Sequence, residues 1–402
     1  MATGRERYKR GKKKDRKKLN ISTWKVIAIG ISLFIIGYLI YAYIGLSKIK
    51  SYNPLGESNS DYYLLSSQKD ELEKTLIVFE EEYNEKERIA SAYLYSQNKE
   101  KGVSVLTYIP GWVEFAQVRE DFGSSIPIAT FKYAGNQLEE GRGFEYAIWQ
   151  FEQLLGSNID QYIWITASAN RIFSEKLGSS SGEALYAQYY ENGFDVNQDA
   201  FFINSFVSKL GWLNLLISSE KFKDSQANIY SSIPTLMGTI IKLKQIHTAT
   251  LSMKPHLIDL GSSKYLSSQE SPIGVGISSY INTDEYDNTW RTFSERMIDR
   301  ELEKERVRVE IYNGSGMSGY ASQYARRIRN SGCEVVRYDN APNLQDKTEF
   351  YVPKPKEFEY SLKVIFELFP GTYETIEGRP SFMTTGDVVI ILGKDIPTVY
   401  SF

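Results

Sequence analysis

A glycine-rich loop in the last quarter of the chain has the spacing of a phosphate-binding turn. Gly314, Gly316 and Gly319 form a GxGxxG pattern between an alternating apolar run and a helical one, and Asp339 lies 20 residues past Gly319. Backbone N–H groups in such a turn can bind a diphosphate at a helix N-terminus while the acidic residue holds a ribose hydroxyl. The pattern predicts a nucleotide site, an anion site for an envelope-borne ligand, or a tight turn that glycine permits.

We expect this loop to contact a ligand or partner through Asn313, Gly314, Ser315, Gly316 and Gly319. A nucleotide is the less favoured ligand, because the unit that contains the loop is too short for the paired βαβαβ halves of a dinucleotide-binding fold. Glycines that only permit a tight turn and close helix packing are the commoner case. No cofactor is expected.

Side chains that could form a metal centre or a nucleophilic site are few. The chain has one cysteine, Cys333, and two histidines, His247 and His256. One cysteine excludes an intramolecular disulfide framework and a multi-cysteine zinc site, and two histidines argue against a histidine-rich metal centre. Cys333 has no histidine within its own predicted domain, so we expect a buried structural thiol. We predict no catalytic residue and no metal site.

The charges of the chain are divided unevenly along its length. Residues 1–50 hold 13 Lys and Arg against 2 Asp and Glu, a charge of +11, and the other residues hold 34 against 48, a charge of −14. The net charge of −3 therefore describes a basic head on an acidic body. With 42% hydrophobic and 14% aromatic residues, the body can bury a core, which argues against wholesale disorder.

An uncharged apolar run from Val26 to Leu46 follows the basic segment 1–25. As a helix, its 21 residues span about 30 Å, the thickness of the hydrocarbon core of a bilayer. A cleaved signal peptide is disfavoured, because its apolar region is usually shorter. Since 11 Lys and Arg precede the run, we expect a single-pass anchor of the cytoplasmic (inner) membrane, with the N-terminus cytoplasmic and the body extracytoplasmic or periplasmic. No nucleic-acid partner is expected.

Beyond a polar, turn-rich juxtamembrane stalk at 47–70, strand and helix patterns are mixed. Six segments have the length and apolar spacing of regular elements: strands at 76–79, 89–95, 103–109 and 162–165, and helices at 144–155 and 203–216. The first of these helices stops at Gly156, a typical helix C-terminus. The mixture predicts an α/β or α+β domain over 71–285.

A charged, helix-prone stretch at 286–306 is expected to link this domain to a second one as a solvated helix. Residues 307–402 then contain a strand-like run, the glycine loop, a helical face that ends at Gly332, a second strand at 333–338 and an apolar strand at 387–393. This order predicts a small βαβ-type domain. The whole chain is therefore predicted as an α/β protein with an N-terminal transmembrane helix, a central domain and a small C-terminal domain.

The C-terminal domain resembles the LytR C-terminal domain. The resemblance is carried by VRVEIYNGSGMSGYASQYARRIRNSGCEVVRYDNA, by TEFYV at 348–352 and by GDVVIILGKD, and it covers residues 307–396. It implies an exported, often membrane-tethered module that is associated with cell-wall biology.

The central domain is similar in layout to the catalytic domain of LytR-CpsA-Psr proteins. The likeness is carried by GVSVLTYIPGW at 102–112, GFEYAIWQFEQLLGSNIDQYIWI at 143–165 and GEALYAQYY at 182–190. The resemblance implies an anchored, exported domain of a family that transfers glycopolymers from a polyprenyl-pyrophosphate carrier to peptidoglycan. That chemistry needs arginines to bind the pyrophosphate and carboxylates to bind a divalent metal.

Most functional positions implied by this resemblance are changed. Gly111 and Trp112 stand where the family has Arg-Asp, and Ala90 stands where it has a metal-binding aspartate, whereas Arg88 is kept. Later arginines of the family are replaced by Gln188, Tyr190, Gln198 and Phe201. Three glutamates at 80–82 lie near the expected acidic loop, but a charged turn explains them equally well.

We therefore expect a non-catalytic binding, scaffold or accessory protein of the cell envelope, a pseudoenzyme of cell-wall biology. Its expected partners are the lipid bilayer, peptidoglycan or a lipid-linked glycan, and other envelope proteins. Two alternatives stay open. An active glycopolymer ligase could use Arg88 and the glutamates at 80–82. A structural component of a trans-envelope assembly would bind a protein partner and no wall polymer.

Overall fold

The computed structural model describes residues 19–57, 65, 71–116, 125–177, 227–270, 277–294, 296–369 and 373–396. They form an N-terminal apolar helix, a central unit with a large sheet and a C-terminal unit with a smaller sheet, so the predicted α/β class is confirmed. Outside the described residues lie the basic head up to residue 18 and the segments at 182–190 and 203–216, with Gln188, Tyr190, Gln198 and Phe201.

Helix α1 (Leu19–Leu46) contains the predicted apolar segment. Its 23 residues from Trp24 to Leu46 are long and apolar enough to cross a membrane, and their side chains are almost all exposed. A long helix that is apolar all round and uncovered by protein matches a lipid environment better than water. Its length and composition fit a single-pass membrane anchor.

Within the described residues, the α-helices and strands of the central unit are, in chain order, β1 (Ile49–Tyr52), β2 (Leu72–Tyr83), β3 (Lys86–Asn98), β4 (Val103–Pro110), β5 (Glu114–Ala116), β6 (Ser125–Pro127), α2 (Phe131–Leu138), α3 (Gly143–Leu155), β7 (Gln161–Ile165), α4 (Ala167–Leu177), β8 (Ala227–Ser231), α5 (Leu236–Met253), β9 (His256–Asp259), β10 (Leu266–Glu270), β11 (Ile277–Ile281) and α6 (Thr283–Ser294). Seven strands form the main sheet in the order β1-β8-β7-β2-β3-β4-β9, and four short ones form a second sheet, β10-β11-β5-β6.

The middle of the main sheet is apolar on both faces. Strands β2, β3 and β4 are antiparallel neighbours, and β7 lies parallel to β2. Helices α2 and α3 cover one face, and α4 and α5 cover the other. This layering explains the near-continuous apolar runs of the strands. The predicted strands at 76–79, 89–95, 103–109 and 162–165 and the predicted helix at 144–155 are confirmed.

Residues 49–52 do not form the stalk that we predicted. They form β1, which pairs in parallel with β8 from Ile49 opposite Ala227 to Tyr52 opposite Tyr230. Ile49 is buried in the core between the sheet, α4 and α5. The membrane helix is therefore joined to the edge of the main sheet by two residues, Ser47 and Lys48.

The stretch at 286–306 is not the solvated linker helix that we predicted. Tyr286 and Trp290 of α6 are 1% and 2% exposed and belong to the core of the central unit. They lie four residues apart, so they share one face of the helix and form an apolar stripe within a charged sequence. Only α7 (Arg300–Glu305) is mostly exposed, with Leu302 as its buried residue.

The C-terminal unit continues with β12 (Arg308–Asn313), α8 (Tyr320–Asn330), β13 (Glu334–Asn340), β14 (Glu349–Val352), α9 (Glu359–Phe366), β15 (Thr375–Glu377) and β16 (Val388–Leu392). Its sheet has the order β13-β12-β16-β14-β15, and α8 and α9 pack on one face. Every residue of β16 is buried, as the apolar run at 387–393 predicts for an interior strand.

Helix α8 joins the C-terminal unit to the central one. The guanidinium of Arg326 donates to the carbonyl oxygens of Gln153 at 2.5 Å and Leu154 at 2.8 Å, which end α3. It also binds Asp287 of α6 through two bonds of 2.6 and 2.9 Å. Because the last carbonyls of a helix lack partners within it, an arginine from a neighbouring unit is an effective cap.

Candidate functional site

The acidic residues singled out in the sequence lie at the end of β2, beside a bulge in β3. Phe79 is opposite Ser91 and Glu80 is opposite Ile89, so Ala90 is the extra residue of the bulge. The Ala90 carbonyl accepts the N–H of Gly111 at 3.0 Å. The position that the family resemblance assigns to a metal-binding aspartate is therefore a small, buried bulge residue.

Glu80 forms a buried ion pair with Lys132 of α2. Lys132 Nζ donates to Glu80 Oε1 at 2.9 Å and to Glu87 Oε2 at 3.0 Å. The backbone N–H of Ala167, at the start of α4, lies 3.3 Å from Glu80 Oε2. The side chains of Glu80 and Lys132 are 1% and 21% exposed. Both oxygens of the Glu80 carboxyl group are thus bound by groups of the fold.

Burial controls the protonation of this pair. It raises the pKa of Glu80, and Lys132 offsets the rise only in part. Burial also disfavours the charge of Lys132, but the carboxylates of Glu80 and Glu87 outweigh it and raise the pKa of the ammonium group, which stays charged at neutral pH. A divalent cation would have to displace this ammonium before it could bind Glu80.

The next two glutamates also have basic partners. Arg88 Nε donates to Glu81 Oε1 at 2.5 Å, and the guanidinium carbon lies 3.9 Å from the ring centre of Tyr83. Arg171 Nη1 donates to Glu82 Oε2 at 2.8 Å at the surface. Arg88, the residue type kept from the family pattern, is thus held within its own hairpin by a carboxylate and a ring.

Gly111 leaves no space for a side chain at the end of β4. A Cβ atom there would lie 2.9 Å from the carbonyl oxygen of Ala90 and closer still to that of Ile89. An arginine at this position would force β3 and β4 apart. Trp112 packs partly buried against the core of the central unit. The two positions that follow Ile-Pro therefore contribute to packing, and neither provides a charge.

The glycine loop of the C-terminal unit is a turn that bonds to itself. Asn313 Oδ1 accepts the N–H of Ser315 at 3.1 Å and its hydroxyl at 2.7 Å, and Asn313 Nδ2 donates to the Met317 carbonyl at 2.6 Å. Ser315 Oγ accepts the N–H of Met317 at 3.1 Å. Gly316 and Gly319 have φ angles of 81° and 86°, in the left-handed region that favours glycine.

The remaining predicted loop residue ties this turn to the sheet. The N–H of Gly314 donates to the carbonyl of Leu392 in β16 at 2.9 Å, and its own carbonyl accepts the N–H of Gln345 at 2.8 Å. All five predicted loop residues thus lie in one turn, while Arg88 lies in the other unit. The geometry is that of a tight turn, and ligand binding by the loop stays a prediction.

A groove lies between α5 and the start of β2, at the opposite end of that strand from Glu80. Its volume is about 710 Å³. Ile241, Ile246, Ala249 and Met253 form its apolar wall, and Lys99, Lys242, Lys244 and Glu73 form its charged part. Glu73 forms ion pairs with Lys99 and Lys242. The groove therefore combines an apolar surface with an excess of positive charge.

Metal-ligating side chains do not gather elsewhere in the described part of the chain. Among those residues, no group of three or more His, Cys, Asp or Glu side chains could hold a metal ion. Cys333 is 4% exposed and directly precedes β13, where a structural thiol was expected. His247 lies on α5, and the ring of His256, at the start of β9, is tilted against that of Phe293 with 4.6 Å between ring centres.

The charged residues that sequence reasoning missed include the half-buried Lys132 and the buried Glu310. Glu310 Oε1 accepts three hydrogen bonds of 2.7 to 2.9 Å, from the N–H and hydroxyl of Thr385 and from the N–H of Gly386. Its Oε2 accepts the Tyr312 hydroxyl at 2.8 Å. A single acid within the apolar alternation VRVEIY was the available signal for Glu310. Lys132 had no comparable signal, since its partner is distant in sequence.

Comparison with protein families matches residues 306–395 to LytR_C, described as LytR cell envelope-related transcriptional attenuator. Residues 306–395 form a LytR C-terminal domain. The predicted resemblance of this part of the chain is confirmed, and the unit is called the LytR C-terminal domain below. Comparison of the sequence with curated proteins gives no match.

Solved structures similar to the chain include Bacillus subtilis TagV, with 12% identity and a TM-score of 0.41 over 57% of this chain and 98% of that one. A structure of TagT bound to LIIa-WTA has 12% identity and a TM-score of 0.40 over 60% and 97%. B. subtilis TagU has 9% identity and a TM-score of 0.36 over 57% and 99%. All three are LytR-CpsA-Psr proteins. At such low similarity, the function of the central unit has to be judged from its own residues.

Proposed function

We propose that this protein is a membrane-anchored protein of the cell envelope that binds a lipid-linked glycan and does not transfer it. The observation that carries this proposal is the pairing of charges at the end of β2, where each of the three glutamates at 80–82 has a basic partner within the fold. Transfer from a pyrophosphate carrier needs free carboxylates for a metal and free arginines for the leaving diphosphate. Here these charges stabilise the fold.

The backbone supports the same conclusion. Gly111 has no space for an arginine side chain, and Ala90 provides no carboxylate at the bulge. A return to the charged pattern of the family would therefore need a rearrangement of β3 and β4 as well as new side chains. A site of this kind can still hold a ligand through shape and backbone groups, but it offers little stabilisation to a developing charge.

The binding half of the proposal is supported by the groove beside α5. Its apolar wall suits a lipid chain, and its lysines, Lys99, Lys242 and Lys244, suit a phosphate group. The LytR C-terminal domain belongs to a family described as cell envelope-related. Both features fit a protein that meets its ligand at the membrane surface.

The membrane anchor places this binding unit close to the bilayer. We propose that the basic head stays in the cytoplasm and that everything after α1 lies outside it, because 11 Lys and Arg precede the apolar segment. In intact cells stripped of their wall, external protease is expected to digest the body and to leave an epitope at the N-terminus protected. Digestion of the N-terminal epitope in sealed cells would show that the protein has the opposite orientation in the membrane.

The proposal is tested with the full chain in lipid nanodiscs and a radiolabelled polyprenyl-pyrophosphate disaccharide, with and without Mg²⁺. We expect saturable binding, no transfer to peptidoglycan and no release of pyrophosphate. Metal-dependent turnover would overturn the proposal in favour of an active ligase. Absence of binding, together with a protein captured by crosslinking in cells, would favour a trans-envelope assembly component.

Two arginines provide a matched control for this assay. Arg88 and Arg171 each bind one of the glutamates at 80–82, but Arg88 is 19% exposed and Arg171 57%. If the protein is an active ligase in which Arg88 binds the diphosphate, Arg88→Gln should abolish turnover. Arg171→Gln should then leave turnover unchanged. Under our proposal, neither variant changes a transfer rate that is already at background.

A further inference from the structure

One edge of the sheet in the LytR C-terminal domain is a long, exposed strand. In the order β13-β12-β16-β14-β15, the edge strands are β13 and β15. β15 has three residues, whereas β13 has seven, of which six are exposed. Within the described part of the chain, β13 pairs with β12 alone. The outward N–H and C=O groups of such an edge can accept another strand.

The register of β13 fixes which backbone groups point outward. The N–H of Ala341 donates to the carbonyl of Asn313 at 2.9 Å, so the backbone groups of Ala341 face β12. Successive residues of a strand direct these groups to opposite sides, so those of Asn340 and Tyr338 point away from β12. The N–H of Asn340 already donates to Asp339 Oδ1 at 2.8 Å, so a strand that is added to this edge must hydrogen-bond to Tyr338.

The side chains of β13 carry opposite charges on one face. Arg337 and Asp339 are 55% and 53% exposed, and Arg337 Nη2 donates to Asp339 Oδ2 at 3.0 Å. The Arg337 guanidinium lies 5.6 Å from the ring centre of Tyr312, which marks this face of the sheet. Tyr338 lies between the two charges on the other face, 51% exposed. The exposed centre of the strand is thus a positive, an aromatic and a negative residue in succession.

We infer that two copies of this chain pair through β13, antiparallel, with the two-fold axis at Tyr338. A two-fold antiparallel ladder places the residue on its axis opposite itself, because an axis between residues would oppose an inward-facing residue to an outward-facing one. An axis at Arg337 or Asp339 would bring like charges together, which is unfavourable. An axis at Tyr338 instead places Arg337 of each copy opposite Asp339 of the other. It also places the two Tyr338 residues opposite each other.

The hydrogen-bond pattern supports the same axis. Because Tyr338 faces outward, the two copies of Tyr338 form a hydrogen-bonded pair. The charged residues then occupy the neighbouring non-hydrogen-bonded positions, where side chains approach each other most closely. The bulge at Val336 ends the regular ladder on one side, which limits it to a short pairing and opposes open-ended growth.

The membrane anchor favours such a short pairing. Copies that are held by α1 in one membrane are confined to a plane, and confinement raises the effective concentration of β13 for its own copy. A pairing of a few residues that is weak in solution can therefore form at the membrane surface. The inference concerns the LytR C-terminal domain and is independent of glycan binding by the central unit.

Cysteine crosslinking of the full chain in liposomes tests the register. The wild-type protein is the background control, because its Cys333 is buried. Tyr338→Cys is expected to give crosslinked dimers with a short bismaleimide, and Arg337→Cys mixed with Asp339→Cys is expected to crosslink better than either alone. Equal crosslinking of all three single variants, or none at Tyr338→Cys, would overturn the inference.

Charge exchange tests the pairing without cysteine. Arg337→Asp and Asp339→Arg are each expected to weaken dimers about tenfold, because both cross-strand pairs become repulsive. A mixture of the two variants should restore a heterodimer, and the double variant should dimerise like the wild type. Lys356→Asp reverses an exposed charge of the same unit away from β13 and should change nothing. Failure of both the mixture and the double variant to recover dimers would overturn the inference, provided that each variant keeps the wild-type circular dichroism.

Discussion

The two folded units bury carboxyl groups in opposite ways. In the central unit, burial raises the pKa of Glu80, that of Glu152 to about 8 and that of Asp259 to about 6. In the LytR C-terminal domain, the pKa values of Glu310 and Asp387 are lowered. The central unit therefore favours protonated or ion-paired acids, and the LytR C-terminal domain favours ionised ones.

The partners explain this difference. Burial alone would raise the pKa of Glu310, but hydrogen bonds from Thr385, Gly386 and Tyr312 outweigh it. The largest cause of the lowered pKa of Asp387 is its side-chain hydrogen bonding with Arg308. Glu152, in contrast, accepts one N–H bond of 3.1 Å from Ile159, and Arg327 Nη2 at 3.7 Å is too distant for a hydrogen bond.

The contrast bears on function. A site for a divalent cation needs carboxylates that stay ionised and accessible, and in the LytR C-terminal domain the ionised Glu310 is used to fix the segment at 385–386 against β12. In the central unit, Glu80 is covered by Lys132. Among the described residues, no group of three or more His, Cys, Asp or Glu side chains could hold a metal ion.

The largest effect on stability is expected at the ion pair of Glu80 and Lys132 in the central unit. Lys132→Met leaves the Glu80 carboxyl group buried with no ammonium partner, which we expect to lower the free energy of unfolding by about 3 kcal/mol at pH 7. The loss should shrink as the pH falls, because a neutral Glu80 no longer needs the ammonium. Urea denaturation of the full chain in detergent at pH 5 and pH 7 measures both values.

A double variant separates the pair from general packing. Glu80→Gln with Lys132→Met removes both charges, and we expect it to recover most of the stability lost in Lys132→Met. Arg171→Gln, at the exposed pair with Glu82, should cost less than about 1 kcal/mol and serves as the control. If the double variant is as unstable as Lys132→Met, the ion pair is not the cause.

A smaller effect of opposite pH dependence is expected at Glu310. Glu310→Gln removes the charge from four hydrogen bonds, and we expect a loss of about 2 kcal/mol at pH 7. Since the folded pKa of Glu310 lies below the ordinary value of 4.5, the stabilisation is present above that value and is lost as the pH falls through the folded pKa. The wild type and the variant should therefore converge toward pH 3.

Hydrogen exchange of the segment at 385–386 gives a local measurement of the same change. We expect faster exchange of the Thr385 and Gly386 amides in Glu310→Gln, since both donate to this carboxylate. Glu377→Gln, on the exposed edge strand β15, changes the same charge and should leave those amides protected. If the Thr385 and Gly386 amides are as protected in Glu310→Gln as in the wild type, the charge of Glu310 does not stabilise this segment. The two units would then not differ in how they use buried carboxyl groups.

Local patterns predicted the elements that bury their own apolar stripe. The strands at 89–95 and 103–109 and the helix that ends at Gly156 were found because composition and spacing indicate them within a few residues. The βαβ-type order of the LytR C-terminal domain was predictable for the same reason, since its strand, glycine turn and helix are contiguous in sequence, whereas its family came from a resemblance. Such local patterns indicate an element whichever residues pack against it in the fold.

Features that depend on distant partners were not predictable. The four residues of β1 become a strand only because β8 lies beside them, far later in the chain. Trp290 lies in a charged stretch, and its burial depends on the core of the central unit. Lys132 is 52 residues from Glu80, so their neutralisation of each other could not be inferred from either segment alone.

The smallest loss of stability is expected for the glutamine variant of Glu152, and the pH dependence of this variant tests the comparison most directly. The folded pKa of Glu152, about 8, lies above the ordinary value of 4.5, so its contribution to stability is complete below pH 4.5 and is lost as the pH rises through about 8. Glutamine resembles the protonated acid, so Glu152→Gln should lie within about 0.5 kcal/mol of the wild type at pH 4. At pH 9 the variant should be the more stable protein, because it has no carboxylate to ionise beside the α3 terminus. Denaturant unfolding at pH 4 and pH 9 measures this pH dependence, with Glu140→Gln at an exposed position as the control. A variant that is less stable than the wild type at pH 9 would mean that Glu152 is ionised and bound by Arg327, and the central unit would then treat this acid as the LytR C-terminal domain treats Glu310.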